Sequence, residues 1–539
     1  MNTKLISYLA TIAIILASFT TCNNESKSGF KLMGSLEGIT EGKAILITGG
    51  MGNREIPADT MIIKNGSFIF TGRVAEPSLY SLVIEGKRGM ISFYAENSEM
   101  TITGHADSLA KAIVSGGKTQ DDAYILAKRV KYLSEKYKIN ELYKELYQRV
   151  DSLKATPQRE AEITTIFDKY RAESTQLSEN FVKENPKSYF SAILVAQLTS
   201  GKSATEIERY ISMLDPKIAA SARVTKMRVQ TEEMKKTEVG IDSLITNAHD
   251  LAYMVDANFA GKEHKDVIYL SIFSNDNVCA LKSDGSVRVI DTKGAKVSEF
   301  KTKMTSKASA IAVDKSDNIY VFGTVMGKKK VESRGTTREI DAPVGVECVV
   351  FNAKGAKVRE LKLADIISAT GARVAAGKIM VADSRTRMIA IYNAETGEKT
   401  SAIEKLRTCC GILDFSIRNN EILVANLGAF RVNGFDYAGK ATISFGQRGN
   451  GINDFHGCCN PVSVAFLSNG GIVTVEKDPT RIKVYSKEGA KKVEGIEELV
   501  KGCAYIPMAV DTKDNVYLAS MTGGLVRCVI FKLSGEDKK

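Results

Sequence analysis

A repeat constrains this chain more than any other feature. Ile311-Ala312-Val313-Asp314-Lys315-Ser316-Asp317-Asn318-Ile319-Tyr320-Val321 returns near the far end as Met508-Ala509-Val510-Asp511-Thr512-Lys513-Asp514-Asn515-Val516-Tyr517-Leu518. Looser copies begin at Phe415 (FSIRNNEILVAN) and Val464 (VAFLSNGGIVTVE). Each reads as strand, polar turn, strand, and a second hairpin ending at a glycine follows, as in RMIAIYNAETG, RVNGFDYAG and RIKVYSKEG. Two hairpins make a four-stranded blade, which cannot bury its faces alone and must stack in a ring. Six blades are counted, at about 266–303, 307–363, 371–404, 411–446, 461–495 and 506–534, the second with an insertion near 326–345. The sixth is one strand short, so a strand from about 248–256 is expected to complete it. Asp314, Asp317, Asp511 and Asp514 fall at repeated turn positions, where Asp and Asn stabilise the turn itself.

The stretch FGQRGNGINDFHGCCNPVSVAF places Phe445, Gly446, Gly449, Gly451, Phe455, Pro461 and Ala465 in an order that resembles the linker and opening strand of NHL-repeat propellers. That resemblance implies a six-bladed propeller over residues 245–539. The glycines within it do not open a helix, as a phosphate-cradling loop would require, and are read as an interblade turn.

Aligning the blade-opening strands on Phe415, Val464 and Met508 puts Cys410, Cys459 and Cys503 each five residues upstream. Cys409 and Cys458 stand beside two of them, and His456 lies two residues before Cys458. Three readings stay open: disulfides, a soft-metal or cluster site built from these thiolates with His456, and free thiols. A bridge within Cys409-Cys410 or Cys458-Cys459 would be a strained, redox-labile form of the first. The spacing matches no standard zinc motif, and no cofactor is required. RTCCGILDFS and HGCCNPVSVAFL resemble the double-Cys signatures of a subset of NHL-type bacterial proteins, which implies no assigned activity. Cys279, Cys348 and Cys528 sit inside strand patterns and are expected in the core.

The first 22 residues are read as a signal peptide. Lys4 precedes an apolar run from Leu5 to Phe19, too short to span a membrane comfortably, and Cys22 follows at once. That ending resembles a lipobox, which implies lipidation at Cys22 and a chain held at the cell envelope by its lipid anchor. Phe19 and Thr21 depart from the usual pattern. The residues after Cys22 carry little acidic charge, which favours an outer-membrane lipoprotein on the periplasmic side over surface export.

Residues 30–117 alternate apolar and polar positions in short runs, as in Ser67-Phe68-Ile69-Phe70 and Met100-Thr101-Ile102-Thr103, and predict a small β domain. Phe30 to Gly34, the Asn65-Gly66-Ser67-Phe68 turn, Pro77 with Tyr80, Phe93 to Asn97 and Val114-Ser115-Gly116 follow an order that resembles a β-sandwich-like domain of unknown function. That domain opens many Bacteroidota lipoproteins with C-terminal thioredoxin-like domains. Residues 119–238 carry apolar side chains three and four apart and predict helices, interrupted at Asn185-Pro186. The chain contains no C-x-x-C, so the redox activity of those relatives does not carry over. The expected fold is mainly β with a helical middle.

The formal net charge of +11 comes from scattered Lys and Arg, not a nucleic-acid stripe. The one compact run, Lys328-Lys329-Lys330, is expected in an exposed, solvated loop. Four histidines and no G-x-S-x-G, H-E-x-x-H or P-loop leave little catalytic signal. Three functions remain in view. The first is a binding or scaffold module whose propeller face takes a protein, peptide or glycan. The second is a redox or metal-handling protein using Cys409, Cys410, Cys458, Cys459, Cys503 and His456. The third, a channel-centred hydrolase or lyase, requires acidic residues and His to converge on the rim.

Overall fold

The computed structural model describes residues 29–48, 56–147, 156–240, 251–333, 336–477, 480–486, 488–500, 505–520 and 523–531. The signal segment with Cys22, and Cys503, lie outside the described residues. The chain divides into two compact units. One holds the residues up to Leu198 with Arg209–Met227, the other Thr199–Glu208 with Arg228 onward.

In the first unit, eight strands between Phe30 and Ser115 hydrogen-bond into one continuous sheet. Period-two burial drives it: Phe30, Leu32 and Leu36 point inward while Lys31, Ser35 and Glu37 stay wet. Gly34 is obligatory, because a Cβ there would run into the Phe68 ring. Asn65 and Gly66, both at positive φ, turn the chain from Ile56–Lys64 into Ser67–Gly72, the hairpin chemistry that Asn-Gly favours. Phe30–Glu37 also pairs in parallel with Glu99–His105.

Helices Lys118–Lys136, Ile139–Leu146, Pro157–Glu184 and Tyr189–Leu198 follow. Lys138, left-handed at φ 52°, separates the first two. Thr156 caps the third by accepting the Arg159 N–H, with Pro157 in the first turn.

The second unit contains six four-stranded sheets, a six-bladed propeller. The inner strands are Val267–Ile272, Lys307–Val313, Gly371–Ala375, Asp414–Arg418, Ser463–Phe466 and Met508–Val510 for blades 1 to 6. Each packs on the next, and the first packs on the sixth. Ala252–Val255 pairs with Gly524–Phe531 as the outer strand of blade 6, so N-terminal and C-terminal segments close the ring together. The second strands are buried on both faces, Val278, Cys279, Ala280 and Leu281 completely so. Stacking on both sides explains their unbroken apolar runs. Burial pushes the Cys279, Cys348 and Cys528 thiols up, as expected of core cysteines.

The repeated aspartates do two jobs. Asp314 Oδ1 accepts the Ser316 and Asn318 N–H groups, and Asp511 Oδ1 those of Lys513 and Asn515, closing the turns. Three aspartates at positive φ reach into the preceding blade. Asp317 takes the N–H and hydroxyl of Ser274, Asp514 those of Ser468, and Asp276 those of Thr512, across the closure point.

Lys328-Lys329-Lys330, expected in a loop, instead lies in a strand. Ile319–Ser333 and Thr336–Phe351 stay paired from Ile319↔Phe351 out to Ser333↔Thr336, so the insertion of blade 2 is a two-stranded ribbon. Lys328 pairs with Asp341 at 2.9 Å.

Candidate functional site

Strand order assigns every connection in the propeller to one of two faces. First-to-second and third-to-fourth turns lie on one. Second-to-third turns and interblade linkers lie on the other, the linker face. Linkers 404–413, 446–462 and 493–507 are consecutive and carry the aligned cysteines.

Linker 404–413 is pinned before it reaches the thiols. Asn426 Oδ1 accepts the Arg407 N–H (2.8 Å), Arg407 O accepts the Gly428 N–H (2.9 Å), and Thr408 Oγ1 donates to Ser384 O (2.9 Å). The chain then doubles back, the Ile412 N–H donating to Cys409 O at 3.0 Å. Cys410 and Gly411 occupy the corners of that turn at φ 55° and 71°. Two positive φ values in succession favour Asn-Gly, and a cysteine there is held outward, exposed.

The sulfurs of Cys409 and Cys410 are 3.4 Å apart, and so are those of Cys458 and Cys459. At that separation no S–S bond joins either pair in this structure, since a covalent S–S bond is about 2.05 Å. Cys459 is buried, and Cys409 of the neighbouring linker adds to the burial that raises its thiol. Lys477 Nζ reaches Cys410 Sγ at 3.0 Å. Lys477 is only 9% exposed, and buried Asn460 fixes its backbone, accepting its N–H at 2.8 Å and donating to its carbonyl at 2.7 Å. The Lys477 ammonium, and then Cys409, lower the Cys410 thiol below its ordinary range. Burial would lower the Lys477 ammonium, but the Cys410 sulfur reverses this and holds it above its usual value. Burial raises Cys409 and Cys459. The pair therefore polarises, with one exposed thiol favouring its anion and its neighbours their protons.

His456 is half-buried, its N–H donated to Glu476 Oε2 at 2.9 Å. Glu476 and Lys483, both 0% exposed, pair at 2.8 Å, and Arg481 adds a second cation at 2.7 Å. Lys483 Nζ also donates to Ile452 O and Asp454 O, so this buried network shapes linker 446–462 from beneath. Desolvation brings the Lys483 ammonium down to about 8 against the pull of Glu476. Among the described residues no three Cys, His, Asp or Glu side chains are placed to hold one metal ion together.

The central channel holds a second polar cluster that the sequence reading did not single out. Arg373 of blade 3 donates to Tyr269 Oη of blade 1 (2.5 Å) and Asp414 Oδ1 of blade 4 (3.3 Å). Ser463 of blade 5 donates to Asp414 Oδ2. The Arg373 guanidinium lies 5.5 Å from the centres of the Tyr269 and Phe415 rings, within cation–π range. Burial raises the Asp414 carboxyl, with Arg373 opposing, and raises the nearby Tyr505 phenol, with Asp414 adding to it. Its one available signal was that Asp414 and Ser463 share a repeat position, immediately before Phe415 and Val464.

Residues 30–123 match the family described as "Domain of unknown function (DUF4369)". No curated protein matches the chain. Among solved structures, a streptogramin B lyase is similar at 10% identity and TM-score 0.36, covering 52% of this chain and 98% of its own. A catalytically inactive virginiamycin B lyase from Staphylococcus aureus with quinupristin is similar at 10% identity and TM-score 0.36, covering 52% and 100%. The WD40 β-propeller domain of Doa1 is similar at 14% identity and TM-score 0.33, covering 53% and 98%. Likeness at these values says nothing of what this chain binds.

Proposed function

We propose that this chain is a cell-envelope lipoprotein, anchored through Cys22 at the outer membrane on its periplasmic side, whose propeller is a binding module for a protein, peptide or glycan. A β-propeller is a rigid ring that displays loop side chains, and such a scaffold suits binding. The observation that carries the reading is the asymmetry of the ring. One face consists of short turns, three of them cross-linked to the preceding blade by Asp276, Asp317 and Asp514. The linker face bears the projecting end of the blade 2 ribbon, around residues 327–342, linkers 404–413, 446–462 and 493–507, and exposed apolar residues Met326, Ile340, Val344 and Ile452. In the channel, Asp414 is engaged by Arg373, Tyr269 and Ser463, an arrangement that fits a plug across the ring better than a free acid or base.

Two measurements test this reading. A photo-crosslinking side chain at Ile340 or Ile452 should give discrete adducts in the producing cell, and one at Lys315 or Lys354 on the turn face should not. Adducts from the turn face alone, or equally from both, would contradict it. Metabolic labelling with a palmitate analogue should mark the chain and be lost in Cys22→Ser; unchanged labelling would remove the anchor from the proposal.

A further inference from the structure

We propose that Cys410 is a nucleophilic thiol that exchanges with disulfides, with Cys409 as its resolving partner. The reaction needs no partner bound across the linker face, so it stands or falls apart from the binding reading.

Three geometric facts carry the assignment. The 409–412 turn holds an exposed sulfur at a corner whose positive φ would suit Asn or Gly better, and unfavourable backbone retained at one residue is a recurring mark of functional sites. The linker beneath is tied to blades 3 and 4 by Thr408 and Arg407, so the sulfur is presented from a fixed base. Lys477, almost buried and fixed by Asn460, places its ammonium 3.0 Å from that sulfur. A cation in contact favours the thiolate, the form that attacks, in keeping with the lowered Cys410 thiol. Cys409 Sγ, 3.4 Å away, is the thiol within reach of an adduct on Cys410.

The chemistry balances with a disulfide, R–S–S–R′, as co-reactant. Cys410 Sγ attacks one sulfur, a bond forms between Cys410 and the R–S sulfur, and the original S–S bond breaks. R′–S⁻ leaves with the electron pair and takes up a proton. Cys409 then loses its proton to solvent and attacks Cys410 Sγ, forming the Cys409–Cys410 disulfide and releasing R–S⁻. Two protein thiols are oxidised and one disulfide is reduced to two thiols.

Cys458 is an internal control: it too is exposed and beside a second cysteine, but the described residues show no cation on its sulfur. The experiment uses the full chain, purified in detergent and reduced. At neutral pH, iodoacetamide followed by peptide mass spectrometry should show Cys410 reacting roughly tenfold faster than Cys458. Lys477→Met should abolish that lead and Lys477→Arg restore most of it, with the Cys458 rate unchanged as evidence that the rim is intact. Oxidised glutathione should leave a Cys409–Cys410 disulfide in the native chain and a stable glutathione adduct on Cys410 in Cys409→Ser. Cys458 reacting as fast as Cys410 would overturn the nucleophile. Clearance of the adduct in Cys409→Ser would overturn the resolving role and point to Cys459.

Discussion

The two faces of the propeller are built by opposite means. On the turn face one device recurs: an aspartate at positive φ holds a Ser or Thr of the preceding blade, as at Asp276, Asp317 and Asp514. On the linker face almost nothing recurs except the aligned cysteines. One linker rests on a buried Glu476–Lys483–Arg481 network, another folds into the Cys409–Ile412 turn, and blade 2 alone among the described residues extends a ribbon. Repetition marks what every blade needs to stack, and departure from it marks what one surface does.

The contrast can be broken by mutation, and the largest effect is expected under linker 446–462. Glu476→Gln leaves Lys483 buried without its counter-charge, and loss of one partner of a buried pair costs about 3–5 kcal/mol. Urea unfolding of the full chain checks this, and a loss below about 1 kcal/mol would mean the pair behaves as a surface bridge. Asp383 comes next. Burial alone would raise its carboxyl, but the Ser368 hydroxyl and the N–H groups of Ile367, Thr386 and Arg385 hold it below the usual range. Its contribution is thus complete above the unfolded value near pH 4 and is lost as pH falls through the folded one. Asp383→Asn should cost about 1–3 kcal/mol at pH 7 and flatten the acid limb of the stability profile. A loss that does not shrink on acidification would contradict that sign.

On the turn face, Asp276→Ala, Asp317→Ala and Asp514→Ala should each cost about 1–2 kcal/mol, alike because the positions are equivalent. One dominant site among the three would refute the uniformity of that face. The smallest effect belongs to the ribbon. Replacing residues 327–342 by a tight turn removes a hairpin with open faces and should change stability by under about 0.5 kcal/mol, while removing crosslinks formed from that face.

Much of the ring could be read from sequence for a physical reason. Strands buried on both sides, such as Ile422–Ala425, must be apolar throughout, and turns closed by Asp repeat the same letters, so blades announced themselves. The aligned cysteines were legible because linkers inherit the blade period. Lys477 was not, because it meets Cys410 across blades and in sequence merely ends an apolar strand. Arg373 and Tyr269 were hidden likewise: each occurs once, and only closure of the ring brings blades 1, 3 and 4 together at one point. The ribbon escaped because a hairpin wetted on both faces, with Lys328, Lys329 and Lys330 in succession, shows no apolar alternation. In the N-terminal sheet the strands were legible, but not the parallel pairing of Phe30–Glu37 with Glu99–His105, since pattern carries no partner.

If the linker face is the working surface, its residues should be covered in the cell and open on the purified chain. Single cysteines introduced by Ile452→Cys on the linker face and Lys315→Cys on the turn face would be labelled with a membrane-permeant maleimide, in intact cells and on the purified chain. The probe at 452 should be protected in cells and freely labelled when purified, whereas the probe at 315 should be labelled equally in both. Equal labelling at 452, or protection confined to 315, would contradict it.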